Sequence, residues 1–266
     1  MIATLSDTPL ETYPINGVPI LVKREDLCWP FPPLSKARGV YRAIERRPGV
    51  NVAVVDTGRS LNGQLVATIG LTFGRQVKCG YPCYINDLNA IPGPALSIRS
   101  LGVELVPLPA SRQFVMRAEM QRRIPEDWFL FPTGLRLPET VEAVAEQMVL
   151  VLRECNPGTV IVPTGTGTHL AGILRAFYGD VIGIQGYARP VERFRRDVQR
   201  MAKLDSTVQS RLRVVTSMCE YYEVRPDKLP PFPANMHYEV RAWKWLSMEG
   251  VVESLKQPIL FWNIGA

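Results

Sequence analysis

Three short stretches carry residue types that reactive chemistry needs. Lys36 stands in Leu34-Ser35-Lys36-Ala37-Arg38-Gly39, just after Pro32-Pro33. A primary amine there can add to an aldehyde once it is neutral, so its pKa of ~10.4 in water has to be lowered by burial or by a nearby cation such as Arg38. A positive charge at a helix N-terminus is unfavourable, which argues that another role keeps the lysine at this position. Ser60-Leu61-Asn62-Gly63-Gln64 is a polar turn able to hydrogen-bond a ring oxygen or a carboxylate, although Asn62 could equally be a helix cap. Gly165-Thr166-Gly167-Thr168-His169 follows an apolar run and opens a helix, so backbone N–H groups and threonine hydroxyls converge where a phosphate can sit. It lacks the Gly-Lys-Ser/Thr ending of a P-loop and the spacing of a dinucleotide fingerprint. A tight turn that merely needs glycine is the alternative there, and His169 in the first helical turn reads as structural.

An amine, a turn for a ring oxygen and a phosphate cradle together point to pyridoxal phosphate. Their order, and their places between strands and helices, resemble the fold type II pyridoxal-phosphate enzymes, the tryptophan synthase β-like family. Within it the chain is similar to the D-cysteine desulfhydrase and aminocyclopropane-carboxylate deaminase branch. The resemblance implies an α/β architecture of two α/β/α three-layer domains with mostly parallel twisted sheets. Residues 1–45 and 133–266 would form a large cofactor-binding domain and 46–132 a small inserted one. It implies that Lys36 holds the cofactor as an internal aldimine, that Asn62 bonds its 3-hydroxyl, and that Gly165, Thr166, Gly167 and Thr168 dock its phosphate. Ser60, Gly63 and Gln64 become candidates to bind the substrate carboxylate.

Further residues follow from the same resemblance. Tyr238-Glu239-Val240-Arg241-Ala242 is similar to the branch's Tyr-x-x-Lys-Ala helix start, which makes Tyr238 a candidate for proton transfer. A core aromatic on one helix face with Trp243 and Trp245 is the alternative. Tyr221-Tyr222, flanked by Glu220 and Glu223, is a second candidate for a substrate-facing wall. The chain departs from the family in two places. Leu61 stands where the turn has glycine, which implies a remodelled turn. The last strand runs into Asn263-Ile264, where the family offers a Ser or Thr hydroxyl to the pyridine nitrogen. Asn263 is then the candidate partner, and without a hydroxyl or carboxylate the ring nitrogen is expected to stay unprotonated.

The elements that must position these groups are legible as an alternation of strand-like and helix-like runs. Ile20-Leu21-Val22, Val52 to Val55, Gln76 to Cys79, Glu104 to Leu108 and Trp128 to Phe131 alternate with helices over 38–46, 63–73, 94–101 and 111–123. Pro138 to Arg153 has Val141, Val144, Ala145, Met148, Val149 and Leu152 at helical spacing, with proline suited to the first turn. A second series follows: Thr159 to Val162, a helix over 170–178, and Val181 to Ile184. The proline-rich stretch 221–236 reads as an irregular loop, before a helix over 238–249 and a last strand Ile259 to Trp262. Short connections favour a parallel, doubly wound sheet.

At 266 residues, 46% hydrophobic and 21% charged, the chain can bury one large or two modest cores and is too apolar for extended disorder. No window is long and apolar enough for a membrane span, and the first residues lack a signal-peptide pattern, so a cytoplasmic location is expected. Five cysteines without zinc-ribbon spacing are expected to be reduced thiols with no metal. The net charge of +6 is mostly arginine, densest in Arg189, Arg193, Arg195, Arg196, Arg200, Arg211 and Arg213. These suit carboxylates or nucleic-acid phosphates, or form a solvated helix face. The leading expectation is a pyridoxal-phosphate lyase acting at Cα of an amino-acid group by elimination, deamination or decarboxylation, as a homodimer. One alternative places that amino acid on a DNA base, as in viral thymine hypermodification; another is a non-catalytic scaffold of the same fold.

Overall fold

The computed structural model describes residues 7–28, 31–32, 34–57, 60–83, 91, 93–186, 189–205, 208–216 and 229–265. They fall into two compact units, residues 1–35 with 140–266, and residues 36–139. The first unit is built on a six-stranded sheet ordered β1-β2-β10-β7-β8-β9: β1 (Leu10–Ile15), β2 (Val18–Arg24), β7 (Thr159–Thr164), β8 (Asp180–Gln185), β9 (Leu212–Thr216) and β10 (Ile259–Asn263). All neighbours pair in parallel except β1 with β2, a hairpin whose turn is Asn16-Gly17, both at positive φ (50° and 80°). That dipeptide suits a tight hairpin turn because its backbone twist matches the strands it joins.

Strand alternation divides the sheet's two faces. Val160, Val162, Val181, Leu260 and Trp262 pack with α5 (Pro138–Glu154), α6 (Thr168–Ala176) and α7 (Val191–Ala202). Ile161, Ile182, Ile184, Ile259 and Phe261 pack on the other face with Ala242, Trp243 and Leu246 of α8 (Glu239–Leu246). Each such side chain, fully buried, contributes ~1.5–3 kcal/mol, so a one-residue register slip would be costly along the whole strand. The strand ends are tied by polar groups. Arg24 grips Asp26 through Nε (2.9 Å) and a terminal nitrogen (2.7 Å), and Asn263 donates to the same Asp26 carboxylate at 2.8 Å.

The second unit holds a parallel sheet ordered β5-β4-β3-β6: β3 (Val52–Val55), β4 (Val77–Cys83), β5 (Glu104–Pro109) and β6 (Phe129–Leu130). Ala53, Val106, Leu108 and Leu130 pack on Met116, Met120 and Ile124 at and beyond α4 (Gln113–Arg123). The opposite face takes α2 (Asn62–Thr72), whose Gly70 has no room for a Cβ, which would lie 2.7 Å from Val77. α3 (Gly93–Ser100) and α1 (Ala37–Glu45) pack against α2. No helix among the described residues is long and apolar enough to cross a membrane.

Candidate active site

Lys36 is the residue from which α1 starts, with the Val40 N–H donating to its carbonyl at 3.0 Å. Its ammonium donates to the Gly134 carbonyl at 2.7 Å. Burial first, and the Arg136 guanidinium second, lower its pKa to about 8. At pH 7 about a tenth of such a lysine is neutral, against a few in ten thousand at its ordinary value. The lowering comes from desolvation and Arg136, not from the Arg38 neighbour that the sequence suggests.

The turn that begins α2 is organised by a residue sequence reasoning missed. Asp56, buried just past the end of β3, accepts from the backbone N–H of Thr57 (2.6 Å) and of Gly63 (2.7 Å) and from the Ser60 hydroxyl. Burial raises its pKa. The Ser60 hydroxyl and the Gly63 N–H, the donors expected to meet a substrate carboxylate, both donate to Asp56 in this structure. Leu61 is the N-cap of α2 with φ −93°, an ordinary value, so no glycine is needed there. The Asn62 and Gln64 side chains are half-buried and take no hydrogen bond among the described residues, so Asn62 does not act as a helix cap.

The glycine-rich turn lies in the other unit, between β7 and α6. Gly167 has φ +83° and a Cβ on it would fall 2.6 Å from Val198 Cγ2 and 3.2 Å from Phe194, so only glycine fits beneath α7. The Thr166 and Thr168 hydroxyls are 3.0 Å apart. α6 starts without a side-chain cap, and the N–H groups of a helix's first turn favour an anion there. His169 is buried and its Nε2 is hydrogen-bonded to the Ser35 hydroxyl, while Ser35 also bonds the Ile264 carbonyl through its backbone N–H (3.1 Å) and hydroxyl (3.0 Å). His169 thus anchors the segment that leads into Lys36.

Tyr238 belongs with this turn. A Cβ on Gly165 would sit 2.9 Å from its Cε1 and 3.0 Å from its hydroxyl oxygen, so the ring lies directly over the turn. The core alternative fits Trp243 instead, which packs edge-on against Phe232 and Phe261. Tyr221 and Tyr222 lie outside the described residues. Asn263 is not the open partner the last strand suggests. Its amide nitrogen donates to Asp26 (2.8 Å) and to the Pro233 carbonyl (3.1 Å), and its oxygen accepts the Gly265 N–H (3.1 Å).

A carboxyl group reaches the end of β10 from elsewhere. Glu239, fully buried in the first turn of α8, accepts the Ile264 N–H on Oε1 at 3.0 Å, and its Oε2 has no hydrogen-bond partner among the described residues. Burial, reinforced by the nearby Asp26 charge, pushes its pKa up to about 8. Glu239 thus brings a carboxyl group beside Ile264 that the residues of the last strand alone do not offer. In sequence Glu239 looks like an ordinary acidic residue of a helix first turn, and its proximity to Ile264 is a tertiary contact.

Taken unit by unit, the residues have the chemistry pyridoxal phosphate needs: in the second unit a lysine with a lowered pKa, and in the first an uncapped helix start with a cradle that a Cβ would fill and a buried carboxyl oxygen without a partner among the described residues. The comparisons agree. The family described as pyridoxal-phosphate dependent enzyme matches residues 3–220. A glycyl-dTMP PLP-dependent decarboxylase of Pseudomonas phage M6 is 35% identical, across 98% of this chain and 99% of the relative. Among solved structures, an ACC deaminase homologue superposes with a TM-score of 0.76 at 16% identity, covering 98% of this chain and 89% of its own. Threonine deaminase isoform 2 from Solanum lycopersicum gives 0.68 at 16%, covering 98% and 84%. These two show the shared fold. A parallel α/β frame, a matching family and a full-length relative converge on one conclusion: the chain belongs to the fold type II pyridoxal-phosphate-dependent enzymes and is a lyase acting at Cα of an amino-acid group.

Proposed function

We propose that the chain removes carbon dioxide from a glycyl-type amino-acid group carried on a thymine nucleotide. The observation that carries this is the full-length relative, whose name gives that substrate and that reaction. In this reading Lys36 holds the cofactor covalently and the Gly165–Thr168 turn holds its phosphate. Asn62 would be available to the ring's 3-hydroxyl, and Glu239 would be the carboxyl available to the ring nitrogen. When bound, the cofactor supplies an electron sink for the pair left at Cα as the bond to the carboxylate breaks. Lys36, with its pKa lowered to about 8, would carry a proton near neutral pH and return it to Cα, which balances the loss of carbon dioxide. Tyr238, over the phosphate turn, is the second candidate for proton transfer.

The nucleotide reaches the enzyme free or within DNA, and the arginine-rich segment bears on which. Arg189 and Arg200 pair with Asp197, and Arg195 with Glu192, whereas Arg193 and Arg196 stand exposed on α7. The enzyme is further read as a cytoplasmic homodimer, following family habit. The test is direct. Cofactor-loaded protein is incubated with glycyl-thymidine monophosphate and with an oligonucleotide carrying the same group, and the products are weighed by mass spectrometry. Loss of carbon dioxide with the amine retained supports the proposal; amine loss, or no reaction on either substrate, refutes it. Turnover confined to the oligonucleotide, weakened by salt and by Arg195→Glu with Arg196→Glu, marks DNA as the carrier.

A further inference from the structure

A cavity of about 320 Å³ opens at the carboxyl ends of β3, β4 and β5, lined by Thr57, Pro82, Ala110, Ser111, Gln113 and Met116. This edge of a parallel sheet is where α/β proteins present ligands. Pro82 and Met116 are buried and form an apolar floor, while Thr57, Ala110 and Ser111 are exposed at the rim. Among the described residues, the Thr57 and Ser111 hydroxyls and the Gln113 amide take no hydrogen bond. Among the described residues the lining contains no charged side chain, which favours a neutral, planar, hydrogen-bonding group over a phosphate or carboxylate.

Resting on the decarboxylase reading above, we propose that this cavity holds the pyrimidine base that carries the amino-acid group, with Gln113 as the residue that reads its edge. A carboxamide offers one donor and one acceptor in a plane, which matches adjacent N3–H and C=O groups of thymine; the two hydroxyls can donate or accept. The Met116 thioether and Pro82 give the ring an apolar surface to lie on. A volume at the lower end of the ~300–1,000 Å³ range of small-molecule pockets suits one base, with sugar and phosphate left outside. Thr57 on the rim is bonded through its N–H to Asp56, the carboxylate that closes the start of α2. A substituent reaching from the base past Thr57 therefore runs along the turn that presents Asn62.

The test uses full-length, cofactor-loaded protein and thymidine monophosphate as probe, titrated by calorimetry, with cofactor absorbance and melting temperature as controls. Gln113→Leu is expected to weaken binding by about tenfold, the worth of one lost hydrogen bond and an unpaired base edge. Ala110→Trp, which fills the cavity from the rim, is expected to abolish binding, and Ser111→Ala to weaken it should either variant lose its fold. No binding to the parent protein, or equal binding in parent and variants, overturns the inference. Carbon dioxide release with a KM unmoved by Gln113→Leu also overturns it, while leaving the decarboxylase reading intact. Binding weakened by Gln113→Leu in a protein that releases no carbon dioxide does the reverse, keeping the base site and refuting the decarboxylase.

Discussion

Replacing Arg136 by glutamine separates the two causes that make Lys36 a usable amine. The lysine falls from 10.5 to about 8, which raises its neutral share at pH 7 about three hundredfold. Burial is the larger cause and Arg136 the smaller, and Arg136 is itself exposed, where water and salt screen its charge. Removing the guanidinium should therefore undo less than half of the change: the pKa moves from about 8 toward 9, and the neutral share at pH 7 falls by no more than about tenfold. The assay is the initial rate at which cofactor-free protein takes up pyridoxal phosphate covalently, followed by absorbance from about pH 6 to 10 and mapped to Lys36 after borohydride reduction. The parent rate should climb tenfold per pH unit and bend near 8; the variant should bend later, and the two should converge at high pH. High salt should move the parent toward the variant. Coincident bends, or a gap that persists at the alkaline end, would refute the electrostatic role of Arg136.

Other outcomes follow from the same geometry. Gly167→Ala should lower the melting temperature of the cofactor-free protein, because a left-handed residue with side chain costs ~1–2 kcal/mol before the contact with Val198 is counted; an unchanged melting temperature refutes the tight fit. Asp56→Asn leaves either Gly63 N–H or the Thr57 side of the turn without an acceptor, so amide exchange at Gly63 should speed up by about tenfold or more, and unchanged exchange would show that Asp56 does not hold the turn. For Glu239, a pKa raised in the folded state means that stability is whole below the ordinary carboxylate value and declines as pH rises toward about 8, since only the unfolded chain releases the proton in that window. Glu239→Gln should therefore gain a few kcal/mol over the parent between about pH 5 and 8 in denaturant melts of cofactor-free protein, with no further gain above. A flat difference across that window would show the carboxyl to be ionised throughout.

Periodicity is local, and what it could reach it reached. The apolar spacing of residues 138–153 marks α5, and the alternation in Ile259 to Trp262 sends Leu260 and Trp262 to one face and Ile259 and Phe261 to the other. β1 is absent from the strand-like runs of the sequence, because it is an antiparallel edge strand containing Pro14; its Asn16-Gly17 turn is recognised only in the structure. The glycine turns and Lys36 stand out because their residue types have few other uses. Asp56 and Glu239 do not, since each acts on a partner that folding brings to it: Gly63 seven residues on, and Ile264 twenty-five residues on. The saturation of Asn263 is hidden for the same reason, its partners Asp26 and Pro233 being distant along the chain.

The internal closure of the Ser60–Gly63 turn has a bearing on energetics at the reacting carbon. An acidic side chain of the protein already occupies the donors that would grip an incoming carboxylate. A group held equally well before and during bond breaking lowers the ground state without lowering the barrier, so a firm grip on a departing carboxylate brings no acceleration. Under the proposed decarboxylation, a turn satisfied by Asp56 would leave the orientation of the reacting carbon to contacts with the remainder of the molecule that carries it.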